Sequence, residues 1–545
     1  MTSAQKKPPV SWKLGELLAA AGMACPGKFL QVAITGIVTD SRQVTPGQLF
    51  VAIGGGAVDG HDFLAQAVAK GAVALVVDQA KKVPPGLAKQ VAIVVVADSR
   101  PALSSLAAAF YGQPQQALKL FGITGTNGKT TTSYLLEAII RAAGGEPGVI
   151  GTVNYRYRGR EHAGSFTTPE PLTLFGLMRE MVDSGVTHLV MEVSSHGLAL
   201  GRVAGLLFDL VMFTNLSRDH LDFHGSMADY FAAKKTLFTD YLKETGAALV
   251  MLAEPEGEAD WGLRLVEELS LAGKFKRCRL ADGAKKSPSG IPLLACGRQR
   301  GELQVSRADL SLAGIAAELT LPDGLKLTLS SPLIGDFNLE NILVAVGGGW
   351  LAGFTPAHLA AGVGAMRRVP GRMERVVAPG GSPLQVFVDY AHTPDALARV
   401  LTTLRRLGKG RLVVIFGCGG DRDRGKRSLM GAVAGRLADV VLITSDNPRS
   451  EEPVAIMAAI EQGLYPGGQP LLARGRAEGL LVGPGRGYDL IESRREAIRL
   501  AVRYARPDDV VLLAGKGHED YQLIGGQKLH FDDCQEAALE MQVVR

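Results

Sequence analysis

The chain has 545 residues, too many for one hydrophobic core and enough for about three domains of ordinary size. Hydrophobic residues make up 46% and charged residues 21%, which excludes a disordered or fibrous chain, and the net charge of +5, from 59 basic and 54 acidic residues with no long basic run, gives no footprint for nucleic acid. The five cysteines are odd in number, widely spaced and without a C-x-x-C pair, which excludes a disulfide framework or zinc site and points to a reducing compartment.

At the N-terminus, Lys13 and Glu16 interrupt what would have to be an apolar signal core. No run approaches the ~18–20 apolar residues that span a bilayer. A cytoplasmic protein with no membrane insertion is expected.

Up to about residue 112, short apolar runs such as "LFVAIGGG", "AVALVVD" and "VAIVVVADS" are separated by helical stretches such as "RPALSSLAAAFYG". This pattern predicts a small α/β domain over residues 1–112. The stretch "YGQPQQALKL" marks a boundary. From 113 to 352, "LKLFGIT", "HLVMEVSS" and "FDLVMFTN" alternate with helical segments, as parallel βαβ units require. A second boundary falls near "WLAGFTPAHLAAGVGAMRRVPGRMER". Over 353–545, "LQVFVDY", "RLVVIFG", "DVVLITS" and "DVVLLAG" are the continuous β-rich runs of a sheet buried on both faces. The fold class expected is α/β in three domains, the second with a phosphate-loop ATPase pattern on a mostly parallel sheet and the third Rossmann-like. No fixed-period repeat is present.

The strand-loop-helix "KLFGITGTNGKTTTSYLLEAII" carries the first chemistry. Gly125 and Gly128 let backbone N–H groups approach phosphate oxygens, Lys129 supplies a point charge, and Thr130 opens the helix with a hydroxyl suited to Mg²⁺. The helix keeps an apolar face through Leu135, Leu136, Ile139 and Ile140. A strict phosphate-loop pattern has glycine five residues before Gly128, where this chain has Ile123, so the loop is a variant. At the ends of the two following strands stand Glu192 and the trio Asn215, Asp219 and His220. Ligands of open α/β sheets collect outside the carboxyl ends of strands, so these groups are expected in one crevice with the loop, Glu192 on Mg²⁺ and His220 on a second cation or a phosphate oxygen. Four more polar clusters, "VDYAHTPDAL", "FGCGGDRDRGKR", "TSDNPRSEE" and "AGKGHEDYQ", end four strands of the third domain.

In their order, "TDSRQVTPGQLFVAI", "DGHDF", "GTNGKTTT", "TTPEPLTL", "EVSSHGLALGRV", "FTNLSRDHLDFHG", "GDFNLENILVA", "VPGRMERV", "DYAHTPDAL", "GCGGDRDRGKR", "DNPR" and "GKGHE" resemble the Mur ligases, the ATP-dependent enzymes that add amino acids to the peptidoglycan precursor. The likeness covers nearly the whole chain and is similar to the members that add the third residue of the peptide. It implies an ADP-forming amide ligase in which ATP phosphorylates the D-glutamate side-chain carboxylate of a UDP-N-acetylmuramoyl dipeptide, and an incoming amine attacks the acyl phosphate. Cytoplasmic, monomeric action on small molecules is implied, with 1–112 binding the UDP-sugar, 113–352 the ATP and 353–545 the amino acid.

Carried over residue by residue, the resemblance places Gly125, Thr126, Asn127, Gly128, Lys129, Thr130 and Thr131 around the ATP phosphates, with Asn338 and Asn341 on the adenine side and Arg372 near the phosphates. Thr130 and Glu192 are implied ligands of one Mg²⁺, and His220 and Lys234 the surroundings of a second. Lys129, Lys234, His220 and Glu192 form the implied catalytic set. By residue type alone Lys234 reads as a solvated helix lysine; the resemblance instead implies a carbamylated lysine. Ser41 is implied near the uridine, Thr167 and Thr168 on the muramoyl peptide, and Ser194 and Arg202 beside it. Two positions depart from the family: Leu200, where some members have glutamine, and Ser493, where aspartate is common.

The tetrapeptide Asp446, Asn447, Pro448 and Arg449 resembles the signature of members that add meso-diaminopimelate rather than L-lysine. A distal carboxylate on that amine suits a bidentate arginine fork. Arg422 is implied as a second contact, and Gly515 and Glu519 as acceptors of the distal ammonium. Rival readings are the same ligase using L-lysine, a folylpolyglutamate synthetase-like ligase, which lacks a uridine-binding first domain, and an ATP-gated binding or transport module, which has no use for four polar strand ends in a third domain.

Overall fold

The computed structural model describes residues 12–55, 58–254, 260–278, 290–377 and 384–543. The chain forms two compact units. The first comprises Met1–Val305, Leu319–Leu327 and Glu340–Gly362, and the second Ser306–Glu318, Thr328–Leu339 and Val363–Arg545. The division passes within helix Asp336–Leu351.

Besides a short two-stranded ladder of Trp12–Lys13 with Ala33–Ile34, the first unit holds two larger sheets. One is four-stranded and wholly parallel, in the order Gly36–Val38, Gln48–Val51, Ala74–Val77 and Ala92–Val95. Its inward residues Leu49, Val51, Ala74, Val76 and Ala92 pack against helix Ser99–Phe110. That helix starts where the carboxylate of Asp98 accepts from the N–H of Arg100, an N-cap that satisfies one of the orphan donors of the first turn.

The second sheet carries the phosphate loop. Strand Lys119–Thr124 lies between His188–Glu192 and Phe208–Phe213, parallel to both. Beyond them lie Pro147–Ile150 on one side and Leu242–Met251 then Ile291–Gly297 on the other, all parallel. The hairpin Asn154–Tyr157 and Arg160–Ala163 closes one edge antiparallel. Val149, Ile150, Leu189, Val190, Met191, Val211, Met212 and Phe213 are fully buried, as expected for strands covered on both faces. Helix Lys129–Ala142 presents Leu135, Leu136, Ile139 and Ile140 to the core at 0% exposure, the face read from the sequence. Each contributes roughly 1.5–3 kcal/mol by leaving water.

The second unit is built on the sheet Glu374–Arg375, Gln385–Asp389, Val510–Ala514, Leu412–Phe416, Val440–Thr444 and Gly487–Ile491, parallel except for the first strand. The four apolar runs expected as buried strands are its inner four. Helices Pro394–Leu407, Lys426–Leu437, Pro453–Glu461, Ala477–Val482, Arg494–Tyr504 and Asp533–Val543 and the hairpin Tyr521–Ile524 with Gln527–His530 belong to the same unit. Ser493, at a position where aspartate is common in the family it resembles, accepts from the N–H of Glu496 and so caps helix Arg494–Tyr504; serine and aspartate do this about equally well.

All five cysteines are free. Among the described residues no helix is long and apolar enough to cross a membrane.

Candidate active site

Because the strands of the first unit run parallel, Ile150, Glu192, Thr124 and Phe213 end side by side. The loop after Thr124 turns sharply at Gly125, with φ +147, and again at Gly128, with φ +86. A Cβ at Gly125 would strike the Thr214 hydroxyl and one at Gly128 the Asn341 side-chain oxygen, so both positions require glycine. The next strand end holds the loop in shape. Thr126 N–H donates to the Asn215 carbonyl at 2.9 Å, Asn127 N–H to Asn215 Oδ1 at 2.9 Å, and the Thr214 hydroxyl to the Asn127 carbonyl at 2.6 Å. Lys129 Nζ donates to the carbonyls of Gly125 and Thr126, each at 2.9 Å. Thr131 is buried.

Glu192 is 1% exposed, and the Thr130 hydroxyl donates to its Oε2 at 3.1 Å. A hydroxyl beside a carboxylate is a hard-oxygen pair suited to Mg²⁺. Among the described residues, no group of three His, Cys, Asp or Glu is placed to hold a metal ion.

Lys234 corrects its residue-type reading as a solvated helix lysine. It is 2% exposed, with Nζ donating to the Gly125 carbonyl at 2.9 Å and lying 4.5 Å from the ring centre of Tyr230 one turn earlier. Burial, with the Lys129 charge adding to it, pushes its ammonium well below the ordinary lysine range. His220 is half-exposed with φ +53 and sits 3.5 Å from the Asp219 carboxylate; partial burial lowers its pKa. Its ring stacks edge-on against His196, which the sequence reading missed.

Thr168 is fully buried. It donates to the Glu192 carbonyl at 3.0 Å and accepts from the N–H of Ser194 at 2.9 Å. Arg202 donates to the Thr168 carbonyl at 3.0 Å, pairs with Glu170 at 2.7 Å and lies over the Phe166 ring. Thr167 is tied to Thr152, another residue missed in the sequence, at 3.0 Å. Ser41 lies on the four-stranded sheet's side of the unit, where its hydroxyl donates to Gln66 at 2.7 Å.

In the second unit, Asp389, Ala514, Phe416 and Thr444 end four adjacent strands, and the four polar clusters follow them. Asn447 donates to Glu519 at 2.8 Å and accepts from the N–H of Leu523 at 3.0 Å. Asp446 and Glu519 flank Lys516, whose fully buried Nζ is 3.5 Å from each carboxylate. Lys516 stands in the "GKGHE" motif yet the sequence alone did not mark it, because nothing in its spacing shows burial. Desolvation first, and the Asp446 charge second, raise the pKa of Glu519. Gly515 has φ +110 and donates to the Asp389 carbonyl.

Arg449 adopts φ +54, its Nη1 2.6 Å from the Gly420 carbonyl, and the Pro448 carbonyl packs against Gly420. Arg427 and Glu451 tie the Gly417–Gly420 turn to this segment through a two-pronged ion pair, at 2.9 Å for Nη2 on Oε1. Arg422 is exposed. Arg372 lies over the Tyr390 ring, and Asn338 donates to the Ile334 carbonyl at 2.8 Å.

The chain matches the sequence patterns of the Mur ligase family catalytic domain over residues 33–111, the Mur ligase middle domain over 123–348 and the Mur ligase glutamate ligase domain over 371–517. It is 44% identical over 532 residues to a Geobacter metallireducens protein named UDP-N-acetylmuramoyl-L-alanyl-D-glutamate--2,6-diaminopimelate ligase, covering 96% of this chain and 98% of that one. A Geobacter sulfurreducens protein of the same name is 44% identical over 505 residues, covering 92% and 94%. A solved structure of an enzyme of that name superposes with a TM-score of 0.65 at 30% identity, over 98% of this chain and 99% of the other. With matching domains along its length and relatives of this identity spanning it almost end to end, the chain belongs to the Mur ligase family.

Proposed function

We propose that this chain is an ATP-dependent, ADP-forming amide ligase that joins meso-diaminopimelate to the D-glutamate side-chain carboxylate of UDP-N-acetylmuramoyl-L-alanyl-D-glutamate in peptidoglycan precursor synthesis. The observation that carries this reading is the name borne by relatives that match the chain over nearly its whole length. The site chemistry is consistent with it.

In the proposed reaction the γ-phosphoryl group of ATP passes to the glutamate carboxylate and ADP leaves. The amine nitrogen then attacks the acyl carbon, the C–O bond to phosphate breaks, and the amine loses a proton. Such chemistry needs positioning and charge neutralisation more than a nucleophilic side chain. The residues at hand are of that kind: backbone N–H groups and Lys129 for the phosphates, and Thr130 with Glu192 to hold Mg²⁺. When bound, Mg²⁺ supplies charge neutralisation at the phosphate oxygens.

Lys234, its ammonium disfavoured by burial, is assigned as the lysine that takes up CO₂: the neutral amine adds to the carbon, releases a proton and becomes a carbamate whose oxygens suit a second cation together with His220. Ser41, Thr167, Thr168, Ser194 and Arg202 are assigned to the UDP-muramoyl dipeptide. Arg422, Asp446, Asn447, Pro448, Arg449, Gly515 and Glu519 are assigned to the amine, with Arg449 as the fork for its distal carboxylate. Three functional segments, 1–112, 113–352 and 353–545, and a cytoplasmic monomer complete the reading.

Incubation with ATP, Mg²⁺, the UDP-muramoyl dipeptide and single amino acids, followed by product masses, tests it. One added diaminopimelate residue with matching phosphate release is expected. Rapid ATP turnover without dipeptide or amine, or addition of lysine in preference, refutes it.

A further inference from the structure

The turn Gly151–Thr152, immediately after strand Pro147–Ile150, lies directly on the Glu192 carboxylate. Thr152 N–H donates to Glu192 Oε1 at 3.1 Å and the Thr152 hydroxyl to Oε2 at 2.9 Å, so one residue grips both oxygens. The position before it has no room for a side chain, because a Cβ at Gly151 would collide with Glu192 Oε1. Thr152 Oγ1 is also 3.0 Å from Thr167 Oγ1. A hydroxyl has one proton. That of Thr152 is committed to the carboxylate, so Thr167 donates to Thr152 and a directed chain runs from Thr167 through Thr152 to Glu192. Thr130, at the start of the phosphate-loop helix, donates to the same Oε2 at 3.1 Å.

We propose that Thr152 is a positioning residue that sets the Glu192 carboxylate for the cation held with Thr130 and, through the same hydroxyl, sets Thr167 for the UDP-muramoyl dipeptide. Its N–H and hydroxyl are taken up by Glu192 and Thr167. The inference rests on the function proposed above and extends it: nucleotide side and peptide side share one hydroxyl.

The decisive substitution is Thr152→Val, which keeps the β-branched shape and the backbone N–H and deletes only the hydroxyl. It leaves Thr167 and one Glu192 oxygen each short of a partner, so affinity for the dipeptide and for Mg²⁺-ADP should each fall about tenfold, on the scale of one to two hydrogen bonds removed. Titration calorimetry of the two ligands, without turnover, reads both. Thr152→Ser should restore both, and Thr152→Val combined with Thr167→Val should weaken dipeptide binding by less than the product of the single effects.

A structural role alone would lower the unfolding temperature and leave the affinities of the folded protein unchanged. Affinities of Thr152→Val within about twofold of wild type, or a serine variant as impaired as the valine one, overturn the inference. If the valine variant does not fold, the serine variant decides: it must bind both ligands like wild type. A wild type that fails to bind the dipeptide refutes the proposed function, and this inference with it; a wild type that binds while the variant matches it refutes this inference alone.

Discussion

Replacing Arg449 with glycine should leave the fold intact and remove the preference for meso-diaminopimelate over L-lysine. The backbone there has φ +54, where a residue bearing a Cβ costs roughly 1–2 kcal/mol that glycine avoids. Its N–H and carbonyl are held by Leu523 at 2.9 Å and Gly525 at 3.0 Å, bonds that survive the change. The side chain's own contribution to the fold is its 2.6 Å bond to the Gly420 carbonyl, a charge-assisted bond worth about 1.5–3 kcal/mol. The two effects oppose each other and are of similar size, so the melting temperature should move by only a few degrees.

The amine should respond quite differently. Removing one charge-assisted hydrogen bond to the distal carboxylate costs roughly ten- to a hundred-and-fifty-fold, and in the wild type L-lysine leaves the bidentate site empty, a discrimination on the order of 10⁴ that the glycine variant loses. L-lysine has no distal carboxylate to lose. The assay is kcat/KM for both amines by phosphate release, at saturating ATP and dipeptide, with thermal unfolding measured in parallel. Arg449→Lys, which keeps charge but not the fork, should recover little. Similar kcat/KM for the two amines in the wild type, or an equal fall for both in the glycine variant, would show that Arg449 does not select the amine.

Lys234→Ala should lose most activity and regain part of it in a high concentration of a short carboxylic acid; native mass spectrometry of the wild type at alkaline pH in bicarbonate should show one added CO₂, and lack of both signals refutes carbamylation. Asp533→Asn should cost about 3–5 kcal/mol in chemical denaturation, because Arg494 and Asp533 pair at 2.6 Å with both side chains fully buried and the arginine would be left uncompensated. A cost below about 1 kcal/mol would show that the pair is not isolated from water. His518 is pushed down to about 3, first by burial and then by the Arg372 charge. Below the ordinary imidazole range the unfolded chain therefore takes a proton that the folded chain refuses, so stability is full above about pH 6.5 and falls as the pH drops; His518→Gln should recover about 1–2 kcal/mol near pH 5, and identical stability profiles for the two proteins would exclude it.

Read alone, the sequence determined those features whose cause is local. The glycine-hinged loop, the apolar face Leu135, Leu136, Ile139 and Ile140 and the β-rich runs follow from backbone sterics and from side-chain periods of 3.6 and 2. Parallel order then made it legible that Glu192, Asn215 and the polar clusters of the second unit stand at strand ends. Which long side chains are buried and which hydroxyls meet depends on the packing of distant segments. Lys234 finds the Gly125 carbonyl 109 positions away, Thr152 meets Glu192 across 40, and Arg494 meets Asp533 across 39. A lysine or threonine carries the same composition signal on a solvated helix as in a closed site. Its environment is set by chain segments far off in sequence, and no local period records them.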